Sequence, residues 1–348
     1  MQTMNAIREP DLTVRDDSPV AAATAPRRRT RWLIKLAVAI VVLAIFLYVG
    51  RHFLHDLPKL RQARPLGVIL IALIFLPTRL LTSEVMRIGL NALGHVVSVY
   101  ESFMVSMVNA YANLLIPRAG LGLPAVYMKM KHGVPIADFS SVQLVPMTVL
   151  QITTIGIAGV VSLTALHFSA GIPWQQSRML WLLGVFSFLA IGSYVAMVLP
   201  VGVPLRFQNK LAAFLRRMAE SWQRLGRSGH TIGWSMLLHA GVIALRGARY
   251  YAAYWAMGQG QVNFWGVCVG SLVVDIAFFL SVTPSALGFR EGGMAIAAPL
   301  IGVTQEMAVA VTVLDRIVFS LVIVVIGQLG MWRLVGPVFN RGAKHVPV

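Results

Sequence analysis

Long, sparsely charged apolar runs restrict this chain more than any other feature. They extend from Trp32 to Gly50, Leu66 to Met86, Val142 to Leu166, Met179 to Leu199, Ile232 to Met257 and Met307 to Leu329. Each reaches the roughly 20 residues an α-helix needs to cross a hydrocarbon core about 30 Å thick. In lipid every backbone N–H and C=O must be satisfied within the protein, which a helix does and an open sheet does not. The expected fold class is therefore all-α, a polytopic integral membrane protein with about six full spans. Composition agrees, with 57% hydrophobic and 12% charged residues, against roughly 25% charged in ordinary soluble domains.

Two further apolar segments, His95 to Ile116 and Phe264 to Val282, run into Pro117 and Pro284. Each proline is followed by a Gly-rich turn and a second apolar stretch of about a dozen residues, too short to cross. Both are read as re-entrant hairpins made of a broken helix. Proline removes a backbone donor, while Gly120 and Gly122 in the first hairpin and Gly288 and Gly292 in the second permit the break. The order repeats along the chain. NLLIPRAGLG and HGVPIADF precede the span from Val142, LSVTPSALGF and IGVTQEMA precede the span from Met307, and Pro117 and Gly133 stand 16 positions apart where Pro284 and Gly302 stand 18 apart. With the hairpins entering from opposite faces, this is the pattern of an inverted repeat, with halves 32–166 and 179–332.

The net charge of +17 reads as a membrane signature rather than a nucleic-acid one, because the basic residues collect beside apolar runs. With both termini cytosolic, 18 Lys and Arg fall in cytosolic segments, five in outer ones and seven within membrane segments. The positive-inside rule favours that arrangement in the cytoplasmic (inner) membrane. Residues 1–31, which include Arg27 to Arg31 but no apolar core, read as a disordered basic cytosolic tail, and residues 333–348 as a second tail. Within a linker at 204–228, Arg206 to Leu225 carries apolar residues on one face and basic residues on the other, as an interfacial amphipathic helix does. The single Cys268 supports neither a disulfide framework nor a cysteine zinc site.

The seven basic residues within membrane segments are Lys35, Arg79, Arg118, Arg246, Arg249, Arg290 and Arg316. Each costs about 2.5–3.5 kcal/mol at the bilayer centre and so calls for a partner or a cavity. Lys35 lies near a span end and can snorkel; Arg79 can pair with Glu84 or snorkel. Arg246 and Arg249 share one side of a helix with His239 and need an anion between them: Asp275, Asp315 or a phosphate-bearing ligand. Asp315 and Arg316 point about 100° apart and need not pair with each other. Ser102, Ser106, Asn109 and Asn113 form a polar stripe leading to Pro117 and Arg118. In TPSALGFREGG, Thr283 to Gly293, a helix restarting near Arg290 aims unpaired N–H groups at the turn, where Glu291 caps the helix or accepts a proton.

The candidate substrate-binding residues are Asn113, Arg118, Arg246, Arg249, Arg290 and Arg316, with Glu291 and Asp315 for charge balance or proton coupling. No P-loop, H-E-x-x-H or G-x-S-x-G occurs, and no metal site or cofactor is expected. The chain is not expected to be an enzyme.

At Asn113 to Gly122 with Tyr127 and Lys129, and at Pro284 to Gly292 with Asp315 and Arg316 downstream, the sequence resembles a flippase-like membrane family. That family is typified by the transmembrane region of lysylphosphatidylglycerol synthases and includes hopanoid-associated members. The likeness extends from about Trp32 to Trp332. In the synthases this region is thought to move an aminoacylated phospholipid between leaflets, while a separate soluble domain makes it. Such a domain does not fit after residue 331, so lysyl-lipid synthesis is not expected. The resemblance implies an ATP-independent flippase or transporter of an anionic or amphipathic lipid of phospholipid, polyprenyl-linked or hopanoid type. Its partners would be membrane lipids and lipid-synthesis enzymes, with no nucleic acid. The alternatives are a non-transporting scaffold subunit of a lipid or glycan synthesis complex, or an intramembrane lipid-modifying enzyme using Glu291 or Asp315.

Overall fold

The computed structural model describes residues 62–115, 122–144, 146–173, 177–198, 220, 224, 228–280, 286 and 288–335. The expected first span, the tail 1–31, residues 336–348 of the second tail, most of the amphipathic linker and Pro117, Arg118, Gly120 and Pro284 lie outside them. Among the described residues every regular element is a helix. In chain order these are α1 (Pro65–Ala92), α2 (Val99–Leu115), α3 (Gly122–His132), α4 (Ile136–Leu144), α5 (Pro146–Ala170), α6 (Ser177–Val198), α7 (Gly229–Ala256), α8 (Phe264–Leu280), α9 (Phe289–Ile301) and α10 (Gln305–Gly330). A π-helical turn, Met331–Val335, extends α10. Runs Pro65–Ala92, Ile136–Ala170 and Gln305–Leu334 are long and apolar enough to cross a membrane. The chain is a polytopic all-α membrane protein.

Local chemistry sets the helix ends. Pro65 opens α1, where a missing N–H costs nothing. Ser228 and Thr304 cap α7 and α10 by accepting from the N–H groups of Thr231 and Met307. The expected span from Val142 is corrected. Its helix α5 starts at Pro146 and continues a run that begins at Ile136, because α4 directly precedes it.

Two stretches of the chain match element for element. Helices α1 and α7 each have 28 residues and are each followed by a left-handed glycine, Gly94 and Gly258. Next come α2 and α8, with 17 residues each, and the short arms α3 and α9, with 11 and 13. Each arm stops at another left-handed glycine, Gly133 (φ 66°) or Gly302 (φ 85°). The long runs of 35 and 30 residues follow. Positive φ is nearly cost-free only for glycine, which fixes these corners in the sequence.

Close backbone approach holds the helices together. A Cβ on Gly67 would lie 2.4 Å from the Ala256 Cβ, and one on Gly241 would lie 2.9 Å from Leu81, so α1 and α7 run antiparallel along each other. Helices α8 and α9 form an antiparallel hairpin, with Gly266 against the Leu300 carbonyl, Gly270 against Met294 and Ala297, and Gly293 against Val274 and Ala277. At about 1.5 Å per residue, neither 17 nor 13 residues reaches across 30 Å. The start of α2 meets the end of α3 in the same antiparallel sense, through Glu101 and Lys131. Helix α2 then packs on α10, with Gly327 against Tyr111, as α8 packs on α5. Without a hydrophobic drive between helices in lipid, such small-residue contacts are what dispersion has to work with.

Replacing Gly266 by Val puts a side chain 2.4 Å from the Leu300 carbonyl oxygen. Such overpacking costs about 1–3 kcal/mol or more, so the melting temperature in detergent should fall by several degrees. Gly292 lies in helix with nothing within 4 Å of an added Cβ, so Gly292→Ala should leave that temperature unchanged or raise it. Fluorescence-detected thermal denaturation of both variants checks the pair.

Candidate functional site

Helices α1, α7, α8, α9 and α10 bring five arginines and three carboxylates into the interior of the bundle. Each carboxylate is matched to a different guanidinium. On α7, Arg249 makes two contacts with Asp315 of α10, Nε to Oδ1 at 2.7 Å and Nη2 to Oδ2 at 3.1 Å. Arg246, one turn earlier, pairs with Asp275 of α8. Arg316 of α10 turns the other way, placing Nη1 2.8 Å from Glu291 Oε1 on α9. The neighbours Asp315 and Arg316 therefore join two separate interhelical pairs, as their 100° offset requires.

Glu291 has a second task. Its Oε2 accepts from the Gly288 N–H at 2.8 Å, capping α9 at a glycine with φ of 81°. Of the two uses the sequence leaves open for Glu291, the cap is the one seen at this donor. Gly288 sits at the break, whereas Gly292 is helical within α9 and Gly122 is the first residue of α3. The connection before α9 contains Ala286, a buried non-glycine residue at φ 56°, and its carbonyl accepts from Arg316 Nη2 at 3.2 Å. An alanine in this region costs of order 1 kcal/mol or more and persists only where its surroundings hold it.

Two arginines differ from the rest. Arg79 of α1 donates through Nη2 to the Ser106 carbonyl at 2.6 Å and to Ser106 Oγ at 2.8 Å. Of the two options for Arg79, pairing with Glu84 is not the one taken: Glu84 pairs with Arg87 at 2.6 Å, three residues on, because residues five apart do not share a helix face. Arg290 of α9 lies over the rings of Phe278 and Phe319, with centroid distances of 5.2 and 5.0 Å. Neither Arg79 nor Arg290 meets a carboxylate among the described residues. Phe319 also lies 5.5 Å below Arg249 and stacks on Phe75, so one ring serves two cations.

Several buried polar atoms around these groups have no hydrogen-bond partner among the described residues: Nε of Arg79 and Arg290, Oδ2 of Asp275, Nε2 of His239 and the hydroxyls of Tyr254 and Ser320. Native interiors seldom leave so many polar atoms unmatched in one neighbourhood.

The polar stripe on α2 works mainly between and along helices. Ser102 donates to the Ser83 carbonyl at 2.6 Å, Ser106 receives Arg79, and Asn113 donates to Asn109 at 3.1 Å. At the foot of the first hairpin, Glu101 gathers the Tyr127 hydroxyl, Lys131 at 2.7 Å and His132 at 2.8 Å. The hydrogen bond to Glu101 pushes the Lys131 ammonium above its usual pKa. Sequence reasoning missed this clamp and the aromatic floor formed by Phe75, Phe278 and Phe319. The spacing of Tyr127 and Lys131, four apart on α3, was the available signal for the clamp.

Arg249→Gln strands Asp315, which is fully buried at 0% exposure. Breaking one side of such a pair costs about 3–5 kcal/mol, while apolar replacement of both partners is often neutral. Thermal denaturation should show a large loss in Arg249→Gln and near-recovery when Arg249→Met is combined with Asp315→Leu.

Among curated proteins and among solved structures, none matches this chain. A family model described as the lysylphosphatidylglycerol synthase TM region matches residues 32–327. With its apolar helices and interior charge pairs, the chain belongs to the lysylphosphatidylglycerol synthase TM region family, membrane proteins of lipid metabolism or transport.

Proposed function

We propose that this chain is an ATP-independent flippase or transporter of a lipid with an anionic headgroup, located in the cytoplasmic membrane with both termini in the cytosol. The observation that carries the reading is the charge count in the interior among the described residues: three carboxylates each neutralise one arginine, and Arg79 and Arg290 remain. Charge left over in a poorly screened interior is costly unless a ligand of opposite sign compensates it. Family membership supports a lipid as that ligand.

The architecture supports alternating access. Matching elements of equal or similar length, with α1 antiparallel to α7, fit an inverted repeat. In this reading α2–α3 and α8–α9 enter the membrane as re-entrant hairpins from opposite faces. Arg79 lies near the middle of the 28-residue α1, so the site sits at mid-depth. Arg246, Arg249 and Arg316 then line the path, while Glu291 and Asp315 balance charge. Asn113 extends the path at the end of α2, and Arg118, expected to join it, lies outside the described residues. Because Asp275, Glu291 and Asp315 are engaged by arginines and Glu101 by Tyr127, Lys131 and His132, we read the chain as a transporter rather than an enzyme.

Purified protein in proteoliposomes should move a fluorescent anionic phospholipid between leaflets without nucleotide. The double substitution Arg79→Gln with Arg290→Gln should slow that movement at least tenfold while the protein still inserts and keeps its melting temperature within a few degrees. Absence of translocation by the wild type with any anionic lipid, together with loss of a partner enzyme's activity on deletion, would show a scaffold instead.

A further inference from the structure

Resting on the transporter reading, we infer that the headgroup this chain takes is a dianion, a lipid ending in a phosphomonoester or a diphosphate, rather than a phosphodiester, zwitterionic or aminoacylated lipid. The inference comes from which arginines are paired, which are reachable and which donors are unfilled.

Two of the three paired arginines are sealed, while Arg246, paired with Asp275, keeps 23% side-chain exposure. Arg249 and Arg316 retain 5% and 8% exposure, and their carboxylates are buried with them. Arg79 and Arg290 are only half-buried, so a ligand can reach them. Both have a buried Nε–H with no acceptor among the described residues. At Arg290 the neighbours are ring faces, which attract a cation but supply no lone pair for its N–H groups. At Arg79 the Ser106 oxygens are neutral acceptors, leaving the full charge of the guanidinium uncancelled.

The two sites belong to one neighbourhood. Arg79 lies within electrostatic range of Arg246 and Arg249, and Arg249 and Arg290 lie over the same Phe319 ring, at 5.5 and 5.0 Å. Among the described residues the surplus in this neighbourhood is two positive charges. A phosphomonoester carries about −1.5 to −2 at pH 7 and offers three strong acceptor oxygens, enough to answer two guanidinium groups. A phosphodiester has a single charge and would leave one arginine uncompensated. A lysyl ester would bring an ammonium into a site whose three carboxylates are already taken. Arginine forks suit a terminal phosphate in a way that a choline or glycerol headgroup cannot use.

The test measures binding by the full-length wild type in detergent, using native mass spectrometry with four probes: phosphatidate, phosphatidylglycerol, lysyl-phosphatidylglycerol and inorganic phosphate. Phosphatidate should bind roughly 10-fold to 100-fold tighter than phosphatidylglycerol, the range a charge-assisted hydrogen bond supplies, and lysyl-phosphatidylglycerol should bind weakest. The preference should shrink as pH falls below about 6, where the second phosphate proton returns. It should fall to near parity in Arg79→Gln and in Arg290→Gln. If either variant fails to fold, the matching Lys variant should keep most of the preference because it keeps the charge. Displacement of phosphatidate by an equal concentration of inorganic phosphate would assign the dianion to a soluble phosphate; lack of displacement assigns it to a lipid. Equal or tighter binding of phosphatidylglycerol or its lysyl ester, or a preference unchanged in both Gln variants, overturns the inference. Translocation without headgroup preference would leave the transporter reading standing while sinking the dianion. A clear phosphatidate preference with no translocation would do the reverse.

Discussion

A charge inside this bundle has to be answered by another charge, because neither lipid nor packed side chains screen it. Three carboxylates meet three guanidinium groups across helix boundaries, and each pair joins elements distant in sequence: α7 to α8, α7 to α10 and α9 to α10. Such pairs add little net stability by themselves, since desolvation consumes much of the Coulomb gain. What they fix is register. A helix that slid by one turn would leave a bare carboxylate opposite an apolar neighbour, at a cost of several kcal/mol.

That register is compatible with the close packing of the rest. Glycines on α1, α5, α7, α8, α9 and α10 let partner helices approach until a methyl group would collide. Polar and small-residue contacts therefore share the work of holding the helices. The left-handed glycines that end α1, α3, α7 and α9 set the corners between elements, so the same sequence of lengths recurs twice along the chain.

Much of this was legible in the amino-acid order. Apolar run length locates the described long helices to within about six residues at each end. The angular offset of Asp315 and Arg316 foretold their separate partners, and Asp275 and Asp315 were the right candidates for Arg246 and Arg249. What the order could not assign was which acid meets which arginine, because those partners stand 29 and 66 residues apart and only tertiary packing selects among them. Pairing of Arg79 with Glu84 is excluded by their spacing, since five residues place two side chains on different helix faces. The aromatic floor under Arg249 and Arg290 had no sequence signal, as phenylalanines in apolar helices are ordinary. Ala286 was equally invisible, because nothing local marks an alanine for positive φ.

The three ion pairs have a mechanical corollary. They lace α7, α8, α9 and α10 into a closed circuit, the last link being the glycine-packed hairpin of α8 with α9. Displacing any of these four means pulling opposite charges apart in a low dielectric. Helices α1 and α2 stand outside the circuit: Arg79 ties them to each other through a neutral serine, and α1 meets α7 through glycine contacts. A sliding of that pair past the laced group separates no anion from its cation, so compliance in this bundle is concentrated on one flank and stiffness on the other.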